Sequence, residues 1–152
     1  MTQLLTQPAA PKVVKVAAGL HVVGGVLWLV AFVLDMVVSA QAGTFVASPL
    51  LAILDFCAYV SLALLVWAGL DTRLGVIAVL VALAIVSLPG PLWNLVRGDA
   101  FTPPGVAMLV ALAGSLVLCI VGVRLLYRPG TKTFLAESQA HQLAVKGLRR
   151  RR

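Results

Sequence analysis

Acidic residues are nearly missing from this chain. Five Asp and Glu stand among 152 residues, against 12 Lys and Arg, and charged residues of both signs make up only 11% of the total. A soluble domain carries about a quarter charged residues, so the shortage excludes an ordinary water-exposed surface. Histidine and cysteine occur twice each, too few for a zinc-type ligand set. There is no phosphate-cradling glycine loop and no His-Glu-x-x-His. His21 lies toward one end of the apolar region and the two acids embedded in it toward the other, so no Ser, His and Asp converge. No catalytic residue, metal or cofactor is expected. Cys57 and Cys119 both sit in apolar runs, where a free thiol behaves as a small hydrophobe. At a rise of 1.5 Å per residue their depths differ by about 9 Å, too far for a disulfide.

What fills the chain instead is apolar: 61% of residues are hydrophobic, with a mean hydropathy of +1.05. Four runs, 16–38, 49–70, 74–96 and 105–127, each hold about 22 or 23 residues, and a spanning helix needs about 20. The connections are short. Residues 39–48 are polar, small and uncharged; Asp71, Thr72 and Arg73 make a tight turn; 97–104 ends on Pro103 and Pro104, which suit a helix start. Short loops force antiparallel neighbours. The expected fold is all-α: an integral-membrane, four-helix up-down bundle. Residues 1–15 form an N-terminal segment, 16–127 the membrane domain and 128–152 a basic tail.

The charges orient this bundle. If both termini are cytoplasmic, every one of the 12 basic residues except Arg97 falls inside, as the positive-inside rule requires. So one-sided a split opposes a dual-topology antiparallel dimer. The expected location is the plasma membrane, N-in and C-in. A cleaved signal is a rival reading of the N-terminus, because Lys12 and Lys15 precede the first run and Ala40-Gln41-Ala42 resembles a cleavage site. The run exceeds the roughly 7–15 apolar residues of a signal, and Asp35 interrupts its end.

The third run contains an anomaly, "SLPGPLWNLVRGD" at 87–99. Pro89 and Pro91 lack an amide donor and Gly90 weakens a helix. The stretch from Leu74 to Leu88 rises only about 22 Å, short of the roughly 30 Å hydrocarbon core. The break therefore falls within the outer part of the membrane, where carbonyls freed around Val86 and Ser87 need partners. Trp93 lies where an interfacial aromatic belt is expected. Two readings are open: a proline kink, or a broken helix lining a cavity, as in some transporters.

Intramembrane acids are functional candidates by default. Asp35 and Asp55 both fall in the outer third of adjacent helices, at a depth comparable to the break. Together with Tyr59, Ser87, Asn94 and Arg97 they form a candidate outer-leaflet polar cluster. There the acids can exchange protons, pair with Arg97, or accept hydrogen bonds near the break. On the first run, Ala17, His21, Gly24, Trp28, Ala31 and Asp35 recur at helical spacing on one face. His21 and Asp35, about 21 Å apart along the axis, mark the two ends of that face, with nothing polar between them in the same run. The stripe reads first as packing, with Gly24 and Ala31 allowing close approach. On the fourth run Ala107, Ala111, Ser115 and Cys119, with Gly114 and Gly122, make a second small-residue face. Arg124 can snorkel to lipid headgroups. In the tail, Phe134, Val145 and Leu148 share a helical face that Leu135 and Leu143 do not join. Arg149, Arg150, Arg151 and Arg152 should attract anionic headgroups, at about 1 kcal/mol per charge near the surface. Nucleic acid is not an expected partner, because no aromatics interleave the arginines.

These features lead to three expectations. The first is a small non-enzymatic membrane protein serving as an accessory or assembly subunit, joined to partner subunits or to further copies of itself through its small-residue faces. The second is a proton- or cation-coupled transporter or channel using Asp35 and Asp55. The third is a lysis-type pore former.

Overall fold

The computed structural model describes residues 8–43, 49–71 and 73–149, except for the side chains of 49–52, 55, 58, 62, 86, 87 and 147–149. Six helices follow one another: α1 (Lys12–Gln41), α2 (Pro49–Trp67), α3 (Arg73–Ser87), α4 (Pro89–Arg97), α5 (Pro103–Leu126) and α6 (Pro129–Arg149), with a 3-10 turn at Asp99–Phe101. No strand occurs among the described residues. Three helical stretches, Lys12–Gln41, Arg73–Arg97 and Pro103–Leu126, are long and apolar enough to cross a membrane.

Helix α1 shows why these helices form and how they pack. Its valines at 16, 23, 26, 30, 33 and 37 point outward and are exposed, while Ala17, His21, Gly24, Trp28, Ala31 and Asp35 are buried. Bulky β-branched residues thus meet the lipid-facing side, and small or polar residues meet the neighbouring helices. This inverts the pattern of a soluble amphipathic helix and follows from membrane packing, where close backbone approach drives association. The helix extends from Lys12 to Gln41, beyond the 16–38 expected from hydropathy alone, because flanking polar residues continue the backbone hydrogen-bond ladder.

Helix α1 is the hub. It packs most extensively on α5 and next on α2; α2 packs on α3, and α3 returns to α5, which closes a ring. At one end of this ring lie the start of α1, the α2–α3 turn, the end of α5 and α6. There Asp71 accepts from both Nε and Nη2 of Arg73 at 2.7 and 2.6 Å, and the Arg73 guanidinium stands 5.4 Å from the Tyr127 ring centre. That bidentate pairing holds the Asp71 carboxyl below its ordinary range. Helix α6 packs against the same end, with Phe134 and Leu135 buried among Val14, Val76 and Leu126. Leu135 therefore belongs to the packed face, contrary to the helical-face expectation, whereas Leu143 is exposed. The reason is that the α5–α6 turn, tied by Thr131 Oγ to the Leu125 carbonyl at 3.0 Å, sets which face of α6 meets the bundle.

The Pro-Gly-Pro segment is a kink, not an unwound stretch. Leu88 keeps helical angles, φ −76° and ψ −30°. Its amide bonds to the Ala84 carbonyl at 3.1 Å, and its own carbonyl accepts from Leu92 at 3.0 Å. The ladder thus bridges the prolines, and α3 and α4 act as one bent element.

Candidate functional site

Two buried polar clusters lie at opposite ends of the inward face of α1. One, called outer because the charge distribution is expected to place it there, is built where α4 crosses α1. Asn94 Nδ2 donates to Asp35 Oδ1 at 2.8 Å and approaches Ser39 Oγ at 3.3 Å. All three residues are buried. The kink brings α4 close enough for this contact, and Gly90 permits it: a Cβ there would stand 2.6 Å from Asp35 Oδ2. An alanine side chain at 90 would occupy the space the carboxylate fills. No cation lies within ion-pair distance of Asp35 among the described residues. The arginine at this end, Arg97, pairs with Asp99 at 3.3 Å.

The inner cluster joins three helices. His21 Nδ1 is hydrogen-bonded to the Tyr59 hydroxyl, and that hydroxyl donates to Cys119 Sγ at 3.0 Å. Which of Nδ1 and the hydroxyl donates in the His21–Tyr59 bond follows the imidazole tautomer. Nε2 is buried with no hydrogen-bond partner among the described residues, and the ring lies so close to α5 that a Cβ on Gly122 would stand 2.9 Å from Nε2. One turn toward the outer end, Ser115 Oγ donates to the Gly24 carbonyl at 2.7 Å, and a Cβ on Gly24 would meet Cys119 Sγ at 2.9 Å. The glycines here are sites of close helix approach.

Between the clusters lie two partly open cavities. The larger, about 130 Å³, is bounded by all four helices of the ring, with Trp28, Phe56, Tyr59, Leu83, Ser115 and Cys119 among its walls. The smaller, about 10 Å³, is bounded by Trp28, Ala31, Phe32, Asp35, Pro91 and Leu112; that is about the space of one water. Trp28 walls both, and its indole N–H is buried with no partner among the described residues. Asp35 therefore faces one cavity, Tyr59 and Cys119 the other, and Trp28 is a wall common to both.

The residues singled out from the sequence distribute as follows. Asp35 and Asn94 touch. Tyr59 belongs to the inner cluster with His21 and Cys119, not to the outer one. Arg97 turns to Asp99. The side chains of Asp55 and Ser87 lie outside the described residues. Of the packing residues, Gly24, Ala31, Ala111 and Ser115 are buried between α1 and α5, while Ala107 is exposed. Arg124 is exposed, and the side chains of Arg149, Arg150, Arg151 and Arg152 lie outside the described residues. Cys57 is exposed and Cys119 buried, both free thiols. Sequence reasoning missed Ser39 and Cys119 as polar partners. Ser39 carries a signal, its spacing of four from Asp35, which puts both on one helical face. Cys119 carries none, because its partners come from distant helices. Among the described residues no three His, Cys, Asp or Glu converge as metal ligands. No protein-family model, curated protein or solved structure matches the chain.

Proposed function

We propose that this protein is a small, non-enzymatic, four-span plasma-membrane protein, N-in and C-in, that carries protons through its bundle, either alone or coupled to a second solute. The observation that supports this best is the alignment on α1 of buried Asp35 and buried His21, with two cavities between them that share the Trp28 wall. An intramembrane carboxylate with neutral hydrogen-bond partners can gain and lose a proton without breaking an ion pair. The imidazole at the other end keeps one ring nitrogen without a partner among the described residues, and the Tyr59 hydroxyl links it to the larger cavity. In each transfer a group accepts a proton on one side and releases one on the other, so no net bond is made. The kinked α3–α4 element supplies, at Gly90, the close approach that holds Asp35.

Three further features support the topology. Helix α2 has the length of a span and packs inside the ring. Lys12, Arg73, Arg124 and Arg128 gather at the end where α6 packs, which the positive-inside rule makes cytoplasmic. The sequence adds four arginines, at 149–152, to the basic side of the charge balance. The accessory-subunit reading draws less support, because Gly24, Ala31, Ala111 and Ser115 are used for packing within the chain.

The test is reconstitution into vesicles loaded with a pH-sensitive dye, with a potassium diffusion potential imposed. Acidification faster than in protein-free vesicles is expected. An equal rate in both, together with a stoichiometric foreign subunit on native mass spectrometry of the complex from its own membrane, would replace this reading with the accessory one.

A further inference from the structure

We infer that the larger cavity is a binding site for a small phenol-like molecule, one aromatic ring with one hydroxyl, which reaches it from the bilayer between α3 and α5. Size sets the first limit. The cavity holds about 130 Å³, close to the engineered apolar cavity of about 150 Å³ that takes up benzene. It therefore fits a single ring and not a fused drug-sized scaffold. The walls set the second. Trp28, Phe56 and Tyr59 offer ring faces and edges on one side, and Leu80, Leu83 and Ile120 aliphatic surface on the other, the lining that aromatic ligands prefer.

The polar groups set the third. Ser115 commits its proton to the Gly24 carbonyl, so its oxygen can only accept from a ligand. The Trp28 N–H has no acceptor among the described residues. A ring that carries one polar substituent can meet Ser115 or Trp28 in this otherwise apolar wall. Access follows from geometry. Leu80 and Ile120 wall the cavity and also an outward groove bounded by Ile77, Val81, Ala84, Val123 and Arg124. Ile120 is 60% exposed. The cavity thus connects with the lipid-facing surface at these two side chains, and a solute dissolved in the bilayer can enter sideways.

This inference shares a cavity with the proposed proton path but does not require proton movement. The experiment uses the full chain in nanodiscs and 4-fluorophenol, read by fluorine NMR against empty nanodiscs of the same lipid. Saturable binding at one site per chain is expected. Leu83→Phe, which fills the cavity, should weaken it at least tenfold. Val117→Phe, on the outward face of α5, should leave it unchanged. Leu80→Phe serves as a second filling variant if Leu83→Phe shows no cooperative melting. Signals that scale only with lipid, or equal binding by the filled and outward-face variants, would overturn the inference. Binding without proton flux would overturn the proton reading alone, and flux without binding this one alone.

Discussion

The two ends of the α1 face solve the same problem differently. At the inner end, His21, Tyr59 and Cys119 come from three helices and bond to one another. The cluster is closed except for one imidazole nitrogen, and the neighbouring glycines clamp it. At the outer end, Asp35 has a neutral donor in Asn94, a glycine against its second oxygen and a cavity beside it. A buried network joined across three helices fixes helix positions, and a carboxylate beside open space is free to change its protonation. The difference teaches that burial alone does not mark function in a membrane bundle; what matters is whether the buried group has room and an alternative partner.

Four substitutions sharpen that comparison. Gly122→Leu should have the largest effect on stability, because its side chain would occupy the volume of the His21 ring; a cost of about 3 kcal/mol is expected, read from unfolding in mixed detergent. Tyr59→Phe removes the hydroxyl shared by His21 and Cys119 and leaves buried polar groups unpaired. It should cost about 2 kcal/mol in the same assay. If either variant unfolds like the wild type, the inner cluster is not a clamp. Gly90→Ala should cost only about 1 kcal/mol, since the Asp35 carboxylate can swing away, yet it should lower proton flux severalfold by displacing that carboxylate from Asn94. A flux equal to wild type would detach the kink from function.

The smallest effect belongs to Asp71. Its carboxyl titrates below its ordinary range because Arg73 binds it. The pair therefore stabilises the fold above the unfolded-state value, and the contribution is lost as pH falls through the lower folded-state value. Both side chains are partly exposed, so Asp71→Asn should cost less than about 1 kcal/mol at neutral pH and nothing in strong acid. A larger cost would show that the α2–α3 turn anchors the bundle.

Much of the fold was legible because membrane helices write their length and their packing face into the sequence. The stripe from Ala17 to Asp35 is the buried face of α1, and three of the expected runs correspond to the stretches long and apolar enough to span. The location of the helix break was legible from proline chemistry, but not its form: Leu88 keeps the ladder intact, and a string of residues does not reveal whether neighbours hold a proline-bearing helix straight enough to bridge. The outer site was half legible. An acid in an apolar run announces itself, whereas its bond to Asn94, 59 positions away, depends on the kink angle. The inner cluster was illegible, since the sequence pattern groups Tyr59 with the outer acids and Cys119 with a packing face, and only the packing of three helices brings them to His21. On α1 the gap between His21 and Asp35 holds only the Trp28 indole N–H; Tyr59 from α2 and Ser115 and Cys119 from α5 bring the other polar groups.

The most direct measurement compares proton flux through wild-type protein and Asp35→Asn in the same vesicles, at equal reconstituted amounts and with equal melting behaviour. The substitution keeps the size of the side chain and a hydrogen-bonding partner for Asn94, and removes only the exchangeable proton. The account predicts flux at least tenfold lower in Asp35→Asn. Flux indistinguishable from wild type would contradict it, and would leave Asp35 as a helix-holding residue with no part in transport.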